Sequence, residues 1–236
     1  MHTPKELLGR LPKCRVLDVA TGAGGFIHFL LDGLPGYTEI IGIDTNPRSE
    51  AVFTNAFNDK PGIHFQTMDA QHLTFAADSF DLVCLTNSLH HFDDPLPVLQ
   101  EMERVARPGG YLLISEMYRD NQTETQLTHV ELHHWWAAVD RATGVVHNET
   151  YTRQELLKMI ESLSLSEVKL YDLSDTSDDP RSVELLAELN PVIDRYIQRA
   201  EGHPELQARG EQLRQRVKEI GFHGATSLLM LGEKHV

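Results

Sequence analysis

Short apolar segments recur along the first half of the chain, each separated from the next by a stretch with helical signals. This alternation limits the fold more than any other feature. Arg15–Val19, Glu39–Asp44, Ile63–Met68, Phe80–Leu85 and Tyr111–Ser115 each read as a buried strand. Between them, Phe26–Leu31 follows a glycine-rich turn, and Asn46-Pro47 caps and opens a helix. Asp94-Pro95 opens another, which carries Leu96, Leu99, Met102 and Val105 at helical spacing and stops at Arg107-Pro108-Gly109-Gly110. Strands joined by helices run parallel through crossovers. The expected class is α/β, a doubly wound and mostly parallel sheet.

The second half changes character. Residues 116–150 contain no clear strand. Thr152-Arg153-Gln154-Glu155 is a capping box before Leu156, Leu157, Met159, Ile160 and Leu163. Leu165–Tyr171 supplies a sixth strand and Thr226–Leu231 a seventh. Between these lie a helix from Asp179-Pro180, with a kink expected at Asn190-Pro191, and a second from His203-Pro204 that stops at Gly221. The expectation is one domain over 1–236 with a seven-stranded sheet and a helical insertion before the last strand. Segments 116–150 and 174–222 form its cap, and the hairpin 180–221 offers a surface for a homodimer.

Charge narrows the partners. The chain has 236 residues with 21 Lys and Arg against 35 Asp and Glu, a formal net charge of −14. Such a surface repels nucleic acid and anionic membranes, so neither is expected as a partner. No run of about 18 apolar residues occurs, and Met1–Lys5 has no apolar signal core. Cys14 and Cys84 are the two cysteines, and Cys84 sits in an apolar run as a free thiol would. A cytoplasmic location is expected.

The turn Ala20-Thr21-Gly22-Ala23-Gly24-Gly25 lies between the first strand and the first helix, where open α/β sheets bind ligands. A dinucleotide fingerprint needs a small residue at position 27, where Ile27 stands, and no Gly-Lys-Ser/Thr phosphate loop is present. Acids stand at or just after three successive strands: Asp18, Asp44 and Asp69. Each alone could be a helix cap or a turn residue. In register, they form an acidic rim able to accept paired hydrogen bonds from ribose hydroxyls and to favour a cationic ligand such as a sulfonium.

From about residue 13 to 116 the sequence resembles the class I S-adenosylmethionine-dependent methyltransferases, especially the small-molecule group that includes the ubiquinone and menaquinone biosynthesis enzymes. Asp18-Val19-Ala20-Thr21-Gly22-Ala23-Gly24 matches the family's first motif, with Ala20 where the first glycine stands. The resemblance implies S-adenosylmethionine as cofactor. It implies contacts from Asp18, Ala20, Thr21, Gly22 and Gly24 to the methionine part, from Asp44 to the ribose and from Asp69 and Ala70 to the adenine, with Thr45 among the cofactor-binding residues. Thr86-Asn87-Ser88-Leu89-His90-His91-Phe92 matches the segment beside the methyl-transfer site, placing Thr86, Asn87 and His90 near the cofactor. That segment is not the Asn/Asp-Pro-Pro-aromatic tetrapeptide common where amide or nucleobase nitrogens are methylated. With the acidic surface, this favours a small-molecule acceptor.

His129–Asp140 is the most individual stretch. As a helix it puts His129, His133, Trp136 and Asp140 on one face and Leu132, Trp135 and Val139 on another. The second set reads as core. The first admits three readings: a partly exposed amphipathic face, the wall of a substrate pocket with a histidine base, or a metal site using His129 and His133. No third ligand is identifiable for the last, and no metal is expected. His91, His133 and His134 are the candidate catalytic residues, since a base titrating near neutrality suits a hydroxyl or thiol acceptor. Two other classes stay open: a non-catalytic domain that binds the cofactor or S-adenosylhomocysteine, and an NAD(P)-dependent oxidoreductase.

Overall fold

The computed structural model describes residues 3–235; Met1 and His2, part of the N-terminal stretch read above, and Val236 lie outside the described residues. The strands are β1 (Cys14–Val19), β2 (Tyr37–Asp44), β3 (Ile63–Thr67), β4 (Phe80–Thr86), β5 (Ala106–Met117), β6 (Leu165–Leu173) and β7 (Ser227–Lys234). Among the described residues they form one seven-stranded sheet in the order β3-β2-β1-β4-β5-β7-β6. Pairing is parallel except where β7 runs antiparallel between β5 and β6. This is the doubly wound, mostly parallel architecture that the alternation predicts.

Strand order reverses at β1, which pairs with β2 on one side and β4 on the other. A crevice must open where the crossovers leave in opposite directions. Register sets its edge: Val19 stands level with Ile43 and Leu85, and Ile43 with Gln66. The loops after β1, β2, β3 and β4 therefore emerge side by side.

Period-two alternation divides the core between the two faces of the sheet. Leu17, Val19, Val83, Leu85 and Ile114 pack against α4 (Leu96–Val105) and α6 (Arg153–Glu161). Val16, Ile40, Leu82, Cys84 and Leu113 pack on the other face against α2 (Gly25–Gly33) and α3 (Pro47–Ala56). A short α1 (Pro4–Leu8), not foreseen from the sequence, buries Leu7 and Leu8 in that second layer after a capping box of Thr3 and Glu6.

Two boundaries differ from expectation. β5 begins at Ala106, so α4 passes straight into a strand instead of stopping in a turn at 107–110. Its register slips opposite Phe80 and Leu82, and Gly109 takes a left-handed φ of 71° in the irregular segment. Between β6 and β7, α7 (Val183–Arg199) starts behind Ser182, whose hydroxyl accepts from the Leu185 amide. Asp179 instead accepts the Arg181 amide in the turn before it. Pro191 lies inside α7, which continues through it; Arg214 donates to the Asn190 side chain and Ile193 is fully buried, which hold the helix across the missing amide.

The helices outside the sheet layers have a core of their own. α5 (Glu124–Ala142), α7 and α8 (Pro204–Glu219) enclose Leu132, Trp135, Val139, Ile193, Leu213 and Val217. Gly210 permits the close approach: a Cβ there would lie 2.4 Å from Trp135 Cζ2 and 2.6 Å from Ile197 Cγ1. Trp135 Nε1 donates to the Leu206 carbonyl at 2.8 Å. The arginines of α8 pair within the chain, Arg214 with Asp194 at 2.5 Å and Arg209 with Glu131 at 2.8 Å. Among the described residues no helix is long and apolar enough to cross a membrane.

Candidate functional site

The crevice holds a cavity of about 560 Å³ whose wall includes Ala20, Gly22, Asp44, Thr45, Met68, Ala70, Ser88 and His91. Its floor is the turn after β1. Ala20 takes φ 54° and Gly22 φ 53°, so the alanine at the resemblance's glycine position adopts a conformation that costs an L-residue roughly 1–2 kcal/mol. A Cβ on Gly22 would meet nothing within 4 Å, leaving room for a ligand to approach the backbone. Gly24 serves packing: it precedes α2 at φ 83°, and a Cβ there would lie 2.4 Å from Phe57.

Asp18 lies beneath this turn, only 1% exposed, and accepts from Thr21 Oγ1 at 2.6 Å. Burial pushes its pKa up to about 7 against the lowering effect of that hydrogen bond. Asp44 stands at the wall and joins two loops. Its Oδ2 accepts the Gly22 amide at 3.0 Å and its Oδ1 the Asn46 amide at 2.8 Å. Each oxygen keeps a further lone pair for a ligand. Asp69 lies in the loop after β3, where His72 Nδ1 at 3.0 Å and the Gln71 amide at 2.9 Å, one on each oxygen, hold its carboxyl below the usual range. Its neighbour Ala70 lines the cavity.

After β4 the chain turns sharply. The Asn87 amide donates to the Ser115 carbonyl, Asn87 takes φ 47°, and the Ser88 hydroxyl donates to the Thr86 carbonyl. A 3-10 turn follows at Leu89–His91. His91 lines the cavity, while His90, 2% exposed, sits behind the wall with Nδ1 2.9 Å from Glu116 Oε1. Desolvation, then His90 and His147, push the His91 pKa down to about 4. Its ring keeps one side open to the cavity and is neutral at pH 7.

α5 brings His129, His133, Trp136 and Asp140 to one side, as their spacing predicts, but their surroundings differ. His129 Nδ1 accepts the Ala225 amide at 2.9 Å, and burial pushes its pKa down to about 4. His133, 8% exposed, is pushed to about 2 by burial first and by His90 and His147 next. His134 meets Thr150 Oγ1 at 2.9 Å, away from the other rings, and burial lowers its pKa.

Sequence reasoning missed the loop after α5. Asn148 pins it to the β4 loop, its amide donating to the His90 carbonyl at 2.7 Å and its side chain to the Phe92 carbonyl at 3.0 Å. That pin brings Val145 and Val146 to the cavity wall and His147 beside His90 and His91. The one available signal was the apolar Val145-Val146 pair in a polar loop, and both side chains are over 40% exposed.

Residues 17–114 match the family described as a methyltransferase domain. The chain is 38% identical over 112 residues to demethylmenaquinone methyltransferase of Deinococcus radiodurans, covering 47% of this chain and 46% of that protein. It is 35% identical over 122 residues to phthiotriol/phenolphthiotriol dimycocerosates methyltransferase 1 of Mycobacterium ulcerans, covering 51% and 42%. The aligned part thus spans under half the length of these curated relatives. The crystal structure of the YcgJ protein from Bacillus subtilis shares the fold at a TM-score of 0.64 and 20% identity, covering 98% of this chain and 96% of that one.

Proposed function

We propose, for a chain that belongs through residues 17–114 to the class I S-adenosylmethionine-dependent methyltransferases, that it transfers a methyl group to a small-molecule acceptor held against the wall of the β1/β4 crevice. The observation that carries this reading is Asp44, a carboxylate on the cavity wall with a lone pair left on each oxygen, beside an open Gly22. These residues fit the cofactor: Asp44 would take the ribose hydroxyls, Ala70 and Met68 would flank the base, and Ala20–Gly22 would lie under the amino-acid part. When bound, the cofactor supplies a sulfonium methyl, already activated for in-line displacement.

The protein's own contribution is alignment and proton management. His91 stands at the wall as a neutral imidazole at pH 7, because burial and its histidine neighbours disfavour the cation. A neutral ring can accept the proton an acceptor hydroxyl or thiol gives up as it attacks. Val145 and Val146 supply an apolar edge that excludes water. The net charge of −14 supports an uncharged or cationic acceptor over nucleic acid. Ile27, wholly buried against the core, stands where a dinucleotide fold needs a small residue, so the oxidoreductase reading is not favoured.

The test is calorimetric titration with S-adenosylhomocysteine for wild type, Asp44→Asn and Asp44→Ala. Loss of a hydrogen bond to a charged group, about 1.5–3 kcal/mol, weakens binding roughly 10- to 150-fold. No binding by wild type overturns the reading. Transfer of labelled methyl groups into a metabolite extract is the second arm. Label in small molecules supports the acceptor class; label only in protein or nucleic acid, or binding without any transfer, overturns it.

A further inference from the structure

Behind His91, three buried imidazoles from three separate elements meet: His90 from the turn after β4, His133 from α5 and His147 from the loop that follows. We propose that His90, His133 and His147 form a binding site for one divalent first-row transition ion of the zinc class. This rests on geometry alone and is independent of the methyl-transfer reading.

The spacing comes first. One ligand nitrogen from each ring lies within 4.8 Å of the others, and His133 Nε2 is 3.4 Å from His147 Nε2. Zinc–imidazole bonds of about 2.0–2.1 Å in a tetrahedron set their nitrogens roughly 3.4 Å apart. The His133–His147 pair already has ligand spacing, and the His90 ligand nitrogen lies within 4.8 Å of both.

The outer nitrogens are oriented as metal ligands require. His90 Nδ1 lies 2.9 Å from Glu116 Oε1 and His147 Nδ1 2.7 Å from Asp140 Oδ2. A carboxylate on Nδ1 fixes the tautomer that turns the Nε2 lone pair away from it, the usual support of a metal-bound histidine. Both carboxylates are themselves held. Glu116 accepts the Leu89 and Met117 amides, and Asp140 is met by Arg199 at 2.6 Å and by the Tyr196 hydroxyl.

Without an ion, the proton count does not close. His133 Nδ1 is buried with no hydrogen-bond partner. If Nε2 of His133 carries the proton and donates to His147, Nδ1 is a buried lone pair left bare. If Nδ1 carries it, an N–H is stranded and lone pairs face each other at 3.4 Å. A cation between the rings removes the second fault by taking those lone pairs, and the His133 Nδ1–H then stays as the one unpaired donor of the three ligand rings. Three imidazoles without a directly bound carboxylate leave a fourth position for water or a substrate atom. His129 stays outside: its Nδ1 is occupied by the Ala225 amide and its ring centre lies 6.4 Å from that of His133.

The experiment titrates Co2+ into the chelator-stripped full chain, following visible d–d absorption, and counts bound Zn2+ by equilibrium dialysis. Wild type is expected to bind one ion per chain, with the intense absorption of four-coordinate Co2+. His133→Ala and His147→Ala are expected to abolish this site, while the exposed-histidine control His64→Ala keeps it. Should the alanine variants unfold in circular dichroism, Asp140→Asn decides: it is expected to weaken binding about 10- to 100-fold. Substoichiometric binding by wild type overturns the site, as does equal binding by folded His133→Ala, or by Asp140→Asn where the alanine variants unfold.

Discussion

Asp18 is the acid whose charge this fold tolerates least. It is 1% exposed, receives one side-chain hydrogen bond from Thr21, and has its pKa pushed from 3.8 to about 7 by burial. In the unfolded chain the same carboxyl ionises near pH 4. The folded protein therefore keeps a proton that the unfolded chain has lost. The resulting stabilisation is complete below about pH 4 and is lost as pH rises through about 7. A gap of roughly three pH units at about 1.4 kcal/mol each gives about 4 kcal/mol between the two ends. Desolvated histidines on α5 act in the opposite sense, since His129 is pushed down to about 4 and His133 to about 2. Their contribution grows as pH rises toward 6.5 and would mask Asp18 in wild type alone. It cancels against Asp18→Asn, which keeps the shape of the side chain and cannot ionise. Urea unfolding of both proteins from pH 4 to 8 is the assay. Wild type should lose about 4 kcal/mol relative to the variant across that window, with the difference flattening above pH 7. Parallel stability profiles would refute the argument, because they would mean that burial under the turn costs the carboxylate nothing.

Two packing predictions concern backbone sites. Gly210→Ala gains up to about 1 kcal/mol of helix propensity, yet its methyl would meet Trp135 at 2.4 Å; overpacking of about 1–3 kcal/mol should win and lower the melting temperature, and a rise would refute the close approach. Ala20→Gly relieves a left-handed alanine worth roughly 1–2 kcal/mol against about 0.5–1 kcal/mol of added unfolded-state entropy. It should therefore raise stability slightly in thermal melts, and clear destabilisation would contradict the backbone assignment.

The parts of this molecule legible in the sequence are those written in local periods. Alternation in β1, β2 and β4, and the 3–4 spacing in α4 and α5, announce both faces of the sheet before any coordinate is known. The start of β5 escaped because Pro108-Gly109-Gly110 carries turn chemistry, and pairing with β4 overrides it through an irregular register. The acids after the strands were legible as a set but not in their division of labour. Asp44 faces the cavity, Asp18 lies under the turn and Asp69 pairs with His72 and Gln71 in the loop after β3. His133 could be placed on a helix face, yet its neighbours could not be read. His147 lies in a loop without period, and only Asn148 brings that loop to the β4 turn. A site assembled from three elements by one hydrogen-bonded pin leaves no spacing signature.

The position of β7 bears on how the chain reaches this state. It is made after β6 and after the whole helical hairpin, yet it inserts between β5 and β6. Until it arrives, β5 presents a bare hydrogen-bonding edge, and β6 has no strand to pair with. On the ribosome, the parallel half of the sheet can form while the antiparallel half waits for residues 227–234 to emerge. Translation that stalls before residue 227 would release a chain with an open apolar edge, prone to pair with another copy.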